Sequence, residues 1–404
     1  MKRRSLLAAG AALAAAPLAR VHAQRPTEVR WWYHFDDPTA SPAHLIATFE
    51  KQNPSIRVRA ENIPWGGGSD YDNRLYTALI AGNGPDAAMV KLENMQRLQE
   101  MGALLDLDPF IKTWDGHGDI PQDIWRINAA PDGRHPYLPV QYVILYLYVR
   151  QDWFAKKSLP LPKTFDQFLA GAKALTGGNR WGFGLRGGPG GHDFWCSFVL
   201  GNGAKLVKGG LLTPQALAAN RWFIDLYRTQ HVCPPSAPTD GFLQTINNMK
   251  AGLTAMTIHH IGSANELSKA LGDAITAVPV PRGTHGKGWA TFGDGSNAIF
   301  RHSRKAEAAW KWISFLSTGQ NNVAFNKLSG QVTVTTSGAA HWTAEPARFV
   351  KATVDSLPMA HVLPNSPKTA DFVRAVYTQT TQKALLGQIT PDRMMQTFDK
   401  LFFG

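Results

Sequence analysis

One stretch constrains this chain more than any other. It runs Gly82-Asn83-Gly84-Pro85-Asp86, then Ala87-Ala88-Met89-Val90, then Lys91-Leu92-Glu93. The glycines, asparagine and proline mark the end of a preceding helix. The four apolar residues predict a short strand covered on both faces. Lys91 and Glu93 then stand at its carboxyl end, the side on which open α/β sheets meet ligands. Asn94 is expected to cap a helix carrying Met95, Leu98 and Met101 on one face, ended by Gly102. A short strand between two helices with polar residues at its tip is the local form of a binding cleft.

The rest of the chain repeats the pattern. A strand over 28–34 ends in Phe35-Asp36-Asp37-Pro38, and Ser41-Pro42 opens a helix to about residue 52. A second strand begins at Ile56, so strand and helix alternate as in a right-handed doubly wound sheet. Trp65 precedes three glycines that lack the Lys-Ser/Thr of a phosphate loop. Residues 108–137 read as a surface excursion. The apolar run 138–149 predicts a long strand, and Thr164 with Gln167 makes a capping box for the next helix. A strand near 181–185 ends in a glycine-rich loop that lets His192, Asp193 and Trp195 stand out. A helix near 242–250 precedes a strand delivering His259 and His260, of which alternation sends one at most into a given site. Residues 289–299 are expected to form strand, loop and strand, a helix follows over 303–317, and the segment from about 330 reads as helical.

Several of these blocks carry a family resemblance. Gly-x-Gly-Pro-Asp with its strand, the helix ending in Gly-Ala-Leu-Leu-Asp-Leu, residues 49–58, the block from 138 to 168 and Ala-Ala-Trp-Lys-Trp at 308–312 are in the order seen in one group. The chain resembles the extracellular solute-binding proteins of the maltose-binding group, which serve ABC importers. The resemblance implies an α/β, two-lobed periplasmic-binding-protein-like fold of type II, each lobe a doubly wound sheet with the ligand cleft between. It implies one lobe from 25–140 plus 283–328 and a second from 141–282 plus 329–404. It also implies a monomer that closes on its ligand and is met by ABC permease subunits in the inner membrane. The sequence departs from the group at His-His-Ile-Gly-Ser (259–263), where a Gly/Trp turn is common.

The 404 residues suffice for two or three domains. Residues 1–23 read as an export signal: Lys2, Arg3 and Arg4 precede an Ala/Leu run too short for the roughly 20 residues that span a bilayer. Arg3-Arg4 also fits a twin-arginine signal, with cleavage after Ala23. No cysteine stands there to anchor a lipoprotein, so a protein free in the periplasm is expected. The four basic residues of that segment lower the net charge from +12 to +8. The remaining basic residues are scattered and no nucleic-acid motif accompanies them. Cys196 and Cys233 either pair or stay as buried thiols.

Catalytic signatures are absent: no Gly-x-Ser-x-Gly, no His-Glu-x-x-His and no Cys-x-x-Cys. An enzyme is therefore not expected, nor a cofactor or metal. A polyhydroxylated ligand needs donors and acceptors for its hydroxyls and aromatic faces for its C–H patches. Candidates at strand ends and glycine-rich loops are Tyr33, His34, Asp36, Trp65, Lys91, Glu93, Tyr142, His192, Asp193, Trp195, His259, His260, Trp289 and Asp294. By resemblance, Glu93 takes the place of an acidic sugar contact, Asp193 and Trp195 those of second-lobe contacts, and Arg374 that of a contact on a late helix. Trp31, Trp153, Trp222 and Trp310 read as core. Two alternatives stay open. The ligand is a sugar, or it is a polyol, glycerol 3-phosphate or a glycerophosphodiester whose phosphate meets Arg186, His192 and Lys91. A secreted glycosidase using two of Asp36, Glu93, Asp193 and Asp294 is the remaining reading.

Overall fold

The computed structural model describes residues 25–35, 39–65, 69–285, 288–339, 347–364 and 366–404. The expected export signal (1–23), Asp36 and the glycines after Trp65 lie outside the described residues. The strands are β1 (Thr27–Tyr33), β2 (Ile56–Asn62), β3 (Ala87–Val90), β4 (Leu138–Arg150), β5 (Trp181–Phe183), β6 (Thr254–His260), β7 (Ile275–Val278), β8 (Ala290–Ile299), β9 (Val332–Thr333) and β10 (Ala360–His361). Along the main path their order is β2-β1-β3-β8-β4-β6-β5.

β1 pairs in parallel with β2 and β3, as strand–helix–strand crossovers require. β8 then lies antiparallel to β3, and β4 antiparallel to β8. The 13-residue β4 changes partner along its length. Its first half, Leu138 to Ile144, pairs with β8; its second half, from Leu145, pairs with β6 and β7. The long apolar run in the sequence is thus a strand buried on both faces that joins two parts of the molecule.

The side chains form correspondingly separate cores. One gathers residues 29–140 with 299–334, built on Trp31, Phe49, Trp312 and Phe325. Trp31 stacks on Tyr33 at 4.9 Å, meets Trp312 edge-on at 5.3 Å, and donates its indole N–H to Asn297 at 2.8 Å. A second gathers residues 145–280 with 372–398, including Phe168, Phe198, Trp195 and Phe398. The expected core tryptophans Trp31, Trp153 and Trp310 are buried, and Trp222 stacks on Phe165 at 4.7 Å.

Local capping follows the sequence where small polar residues precede helices. Thr164, Thr213 and Thr390 accept from the backbone N–H three residues on, at 3.2, 3.2 and 3.1 Å. Three expectations change, and one open alternative is decided. Residues 290–299 form one strand rather than strand, loop and strand. Gly293 and Gly295 lie against Val143 and Gln141 of β4 so closely that a Cβ would fall 2.8 and 2.5 Å from those side chains, so the glycines serve strand packing and not a turn. The supposed excursion over 108–137 contains helices Asp108–Ile111 and Gln122–Asn128. The segment after 330 is not wholly helical: β9 pairs with β4, and β10 with β8. Cys196 and Cys233 are buried free thiols, pushed to higher pKa by burial. Among the described residues no helix is long and apolar enough to cross a membrane.

Candidate ligand-binding cleft

A cavity of about 520 Å³ opens between the two cores. The ends of β1, β3 and β6, the middle of β4 and the glycine-rich loop all reach it.

The first wall comes from the stretch that opened the sequence reading. Lys91 leaves β3 extended, and Leu92–Asn94 turn immediately in a short 3-10 helix, which lifts Glu93. Lys91 Nζ lies 5.2 Å above the Trp65 ring, within cation–π range. His34, following β1, packs 5.1 Å from both Trp65 and Tyr71. Burial, and then the Lys91 charge, hold His34 well below the ordinary histidine range, so its ring is neutral. Asn94 stands at the N-cap position of helix Met95–Glu100, but its side chain makes no cap bond. Its amide donates to Asp72 at 3.0 Å and its oxygen accepts from Tyr76 at 2.5 Å. Asp72 is 6% exposed; burial and the neighbouring Glu93 charge push its carboxyl well above the usual range, against the opposing Asn94 bond and the charges of Lys91 and Arg374.

The second wall is built on Arg186. It is 3% exposed, with its guanidinium 5.4 Å from the Phe194 and Phe242 rings. It donates to the Gly190 carbonyl and, at 2.9 Å, to Asp193. Gly190 has φ +78°, a conformation L side chains rarely adopt, which lets the loop curl over the guanidinium. His192 Nε2 sits 3.4 Å from the other Asp193 oxygen. His259 and His260 lie together, ring centroids 4.6 Å apart, with Phe242 4.2 and 5.3 Å away. Strand alternation would send one of them away from the site. Instead β6 ends at His260, the chain turns through Ile261–Ser263, and the His260 ring folds back so that both border the cleft. Both are held neutral: His259 by burial, His260 and Arg186, and His260 by burial, Lys91 and Arg186, which bring it down to about 3.

Of the residues the sequence proposed, His34, Trp65, Lys91, Glu93, His192, Asp193, His259 and His260 border this cavity. Trp195 does not. It is fully buried in the second core, and its indole N–H is taken by Asn220 at 2.9 Å. Tyr33 is packed in the first core. Tyr142 stacks on Phe292, which does border the cavity, at 5.4 Å. Trp289 stacks on His361 at 4.6 Å. Arg374 pairs with Asp371 at 3.2 Å in the helical segment Phe372–Val376. Asp294 lies on β8 opposite Tyr142; its side chain and Asp36 lie outside what is described. Gln141, Phe242, Glu266, Lys269 and Gln331 border the cavity without having been singled out. Gln141 sat inside an apolar run, Phe242 at the start of an ordinary amphipathic helix, and Glu266 and Lys269 looked like a solvated helix face.

The charges that border the cavity balance. Among the described residues they are Lys91, Arg186 and Lys269 against Glu93, Asp193 and Glu266. No group of three or more His, Cys, Asp or Glu among the described residues is placed to hold a metal.

Known proteins give the context for this geometry. The family model for bacterial extracellular solute-binding proteins matches residues 35–322. A Brucella abortus protein named as a binding protein is 26% identical over 369 residues, covering 86% of this chain and 85% of its own. The maltodextrin-binding protein of Bacillus subtilis is 24% identical over 309 residues, 72% of this chain and 70% of its own. An ABC substrate-binding protein of Listeria monocytogenes, solved in complex with cycloalternan, superposes with a TM-score of 0.81 at 20% identity, covering 93% of this chain and 98% of that one. That likeness shows the type II periplasmic binding-protein fold.

Proposed function

Since the chain belongs to the bacterial extracellular solute-binding protein family, we propose that it captures a neutral mono- or oligosaccharide in this cleft and delivers it to the permease of an ABC importer. The observation that carries the choice of ligand is the neutralised cleft. Arg186, the strongest anion-binding group there, is already committed to Asp193 and Gly190 between two phenyl rings. A phosphate would have to displace a buried carboxylate to reach it, at a cost of several kcal/mol. The His34, His259 and His260 imidazoles are neutral, and a neutral ring offers one donor and one acceptor, the complement of a hydroxyl. Trp65 and Phe242 supply flat faces for a pyranose.

We read the lobes as 25–140 plus 283–328 and 141–282 plus 329–404, hinged where β4 and β8 pass from one core to the other. Export, a monomeric state and binding without bond cleavage belong to the same reading. Isothermal titration of the mature, ligand-stripped protein against neutral saccharides, polyols and glycerol 3-phosphate tests it. Heat from a neutral saccharide recovered intact supports the reading. Binding confined to glycerol 3-phosphate, or release of a shortened sugar, would refute it.

A further inference from the structure

Where β6 ends, His259-His260-Ile261-Gly262-Ser263 turns the chain and sets two imidazoles side by side at the cleft. His260 Nδ1 accepts the Gly262 backbone N–H at 2.9 Å, and the Gln331 side-chain amide lies 3.2 Å from the same nitrogen. A ring nitrogen that accepts an N–H carries no proton. The imidazole is therefore neutral, with its hydrogen on Nε2.

The seat is built tightly. A Cβ on Gly262 would fall 2.5 Å from His260 Cε1 and 2.6 Å from the Gln331 amide. Gly330, at φ +65°, packs its own backbone against Gly262, where a Cβ would fall 2.9 Å from the Gly262 Cα. Two glycines from distant segments thus allow the ring to lie flat between Phe242, 5.3 Å away, and the segment that leads into β9. His259 is different: its Nε2 is buried, its Nδ1 is 2.8 Å from Ser263, and it backs the His260 ring. His260 is only partly buried and borders the cavity.

We propose that His260 is a specificity-determining residue, locked by Gly262 as an uncharged donor whose Nε2–H meets an uncharged ligand oxygen, a hydroxyl or ring oxygen of a saccharide. This rests on the reading of the cleft as a saccharide site. Burial first, and then Lys91 and Arg186 from the two walls of the cleft, disfavour an imidazolium, which agrees with the tautomer set by the Gly262 bond. The donor is held without freedom to rotate, so the ligand must bring its acceptor to a fixed point.

A purely structural role, capping the turn after β6, is separable from this one. In His260→Asn the side-chain oxygen takes the place of Nδ1 and still accepts the Gly262 N–H, but nothing replaces Nε2. Gly262→Ala instead pushes the ring from its seat. Both variants and the parent are titrated with maltotriose, D-tagatose and glycerol 3-phosphate, and melted without ligand. The expected result is a parent-like melting temperature for His260→Asn with affinity for the bound saccharide reduced roughly tenfold or more, and a similar loss for Gly262→Ala. Unchanged saccharide affinity in His260→Asn overturns the inference alone. Binding of glycerol 3-phosphate only, or of no compound at millimolar concentration, overturns the saccharide reading and this inference with it.

Discussion

Asn322 is fully buried in helix Gly319–Ser329 and ties three segments together. Its amide donates to the Val140 carbonyl of β4 at 2.7 Å and to the Leu316 carbonyl at 2.9 Å. Its oxygen accepts from the Val334 N–H at 3.0 Å, the Asn326 amide at 3.1 Å and the Thr333 hydroxyl at 2.5 Å. Replacement by alanine does not orphan all of these. Val140 keeps the Asn326 amide at 2.9 Å, and Thr333 keeps Thr335 at 3.0 Å. The Val334 N–H and the Leu316 carbonyl lose their side-chain partner. Two buried groups left unsatisfied, at about 1–3 kcal/mol each, give about 4 kcal/mol. That is a large fraction of the roughly 5–15 kcal/mol that holds a protein folded. Urea unfolding followed by circular dichroism is the assay. Asp355→Ala, which breaks an exposed ion pair with Lys351, is the control and should cost about 0.5 kcal/mol or less. If Asn322→Ala costs under about 1 kcal/mol, no better than the control, the hub does not secure β4 and the reasoning is wrong.

Trp195→Ala should destabilise by about 3–5 kcal/mol through the cavity it leaves, yet leave saccharide affinity within about twofold at temperatures where it stays folded. Calorimetry showing lost affinity with intact stability would place Trp195 in the site after all. Stability should decline as pH falls from about 6.5 toward 3, since the unfolded chain protonates His34, His259 and His260 across that window while the folded one keeps them neutral. Urea midpoints across that range check it, and a flatter profile in His260→Asn is expected. Asp72 runs the other way: its raised pKa gives stability that is lost as pH rises above about 3.8. Asp72→Asn should therefore raise the melting temperature at pH 7, with the gain vanishing below pH 4; a gain that persists in acid would contradict a buried, protonated Asp72.

The fold was legible where side-chain pattern and covalent constraint agree. Gly-Pro punctuation, a four-residue apolar strand and threonine caps are local features, and the structure keeps them. Gly293-Asp294-Gly295 misled because glycine signals a turn and a close strand contact in the same letters; only the partner strand, more than 140 residues away, decides between them. The site divided along the same line. His34, Lys91 and Glu93 follow strands whose ends the sequence places, so their approach to the cavity could be read. Trp195 stood in a glycine-rich loop and looked free, but the four-residue helix His192–Trp195 turns it inward onto Phe372 and Phe398. Asp72 gave no signal, since an acid in the first turn of an exposed-looking helix is ordinary; its burial comes from Asn94 and Tyr76 closing over it.

Net charge illustrates why a site must be argued from its own residues. The chain is strongly basic, which on composition alone invites an anionic ligand. None of that excess is concentrated in the cleft, where three cations face three anions among the described residues and each buried charge has been dealt with locally. Arg186 is paired, burial raises the pKa of the Asp72 carboxyl behind Glu93, the His34, His259 and His260 rings are neutral, and Lys91 rests on an aromatic face. A cleft arranged in this way has little net field with which to steer an ion. It has many oriented dipoles, and their directions, not their sum, select what fits. Neutralising scattered surface lysines and arginines should therefore leave ligand choice untouched, whereas moving one uncharged hydrogen on His260 should change it.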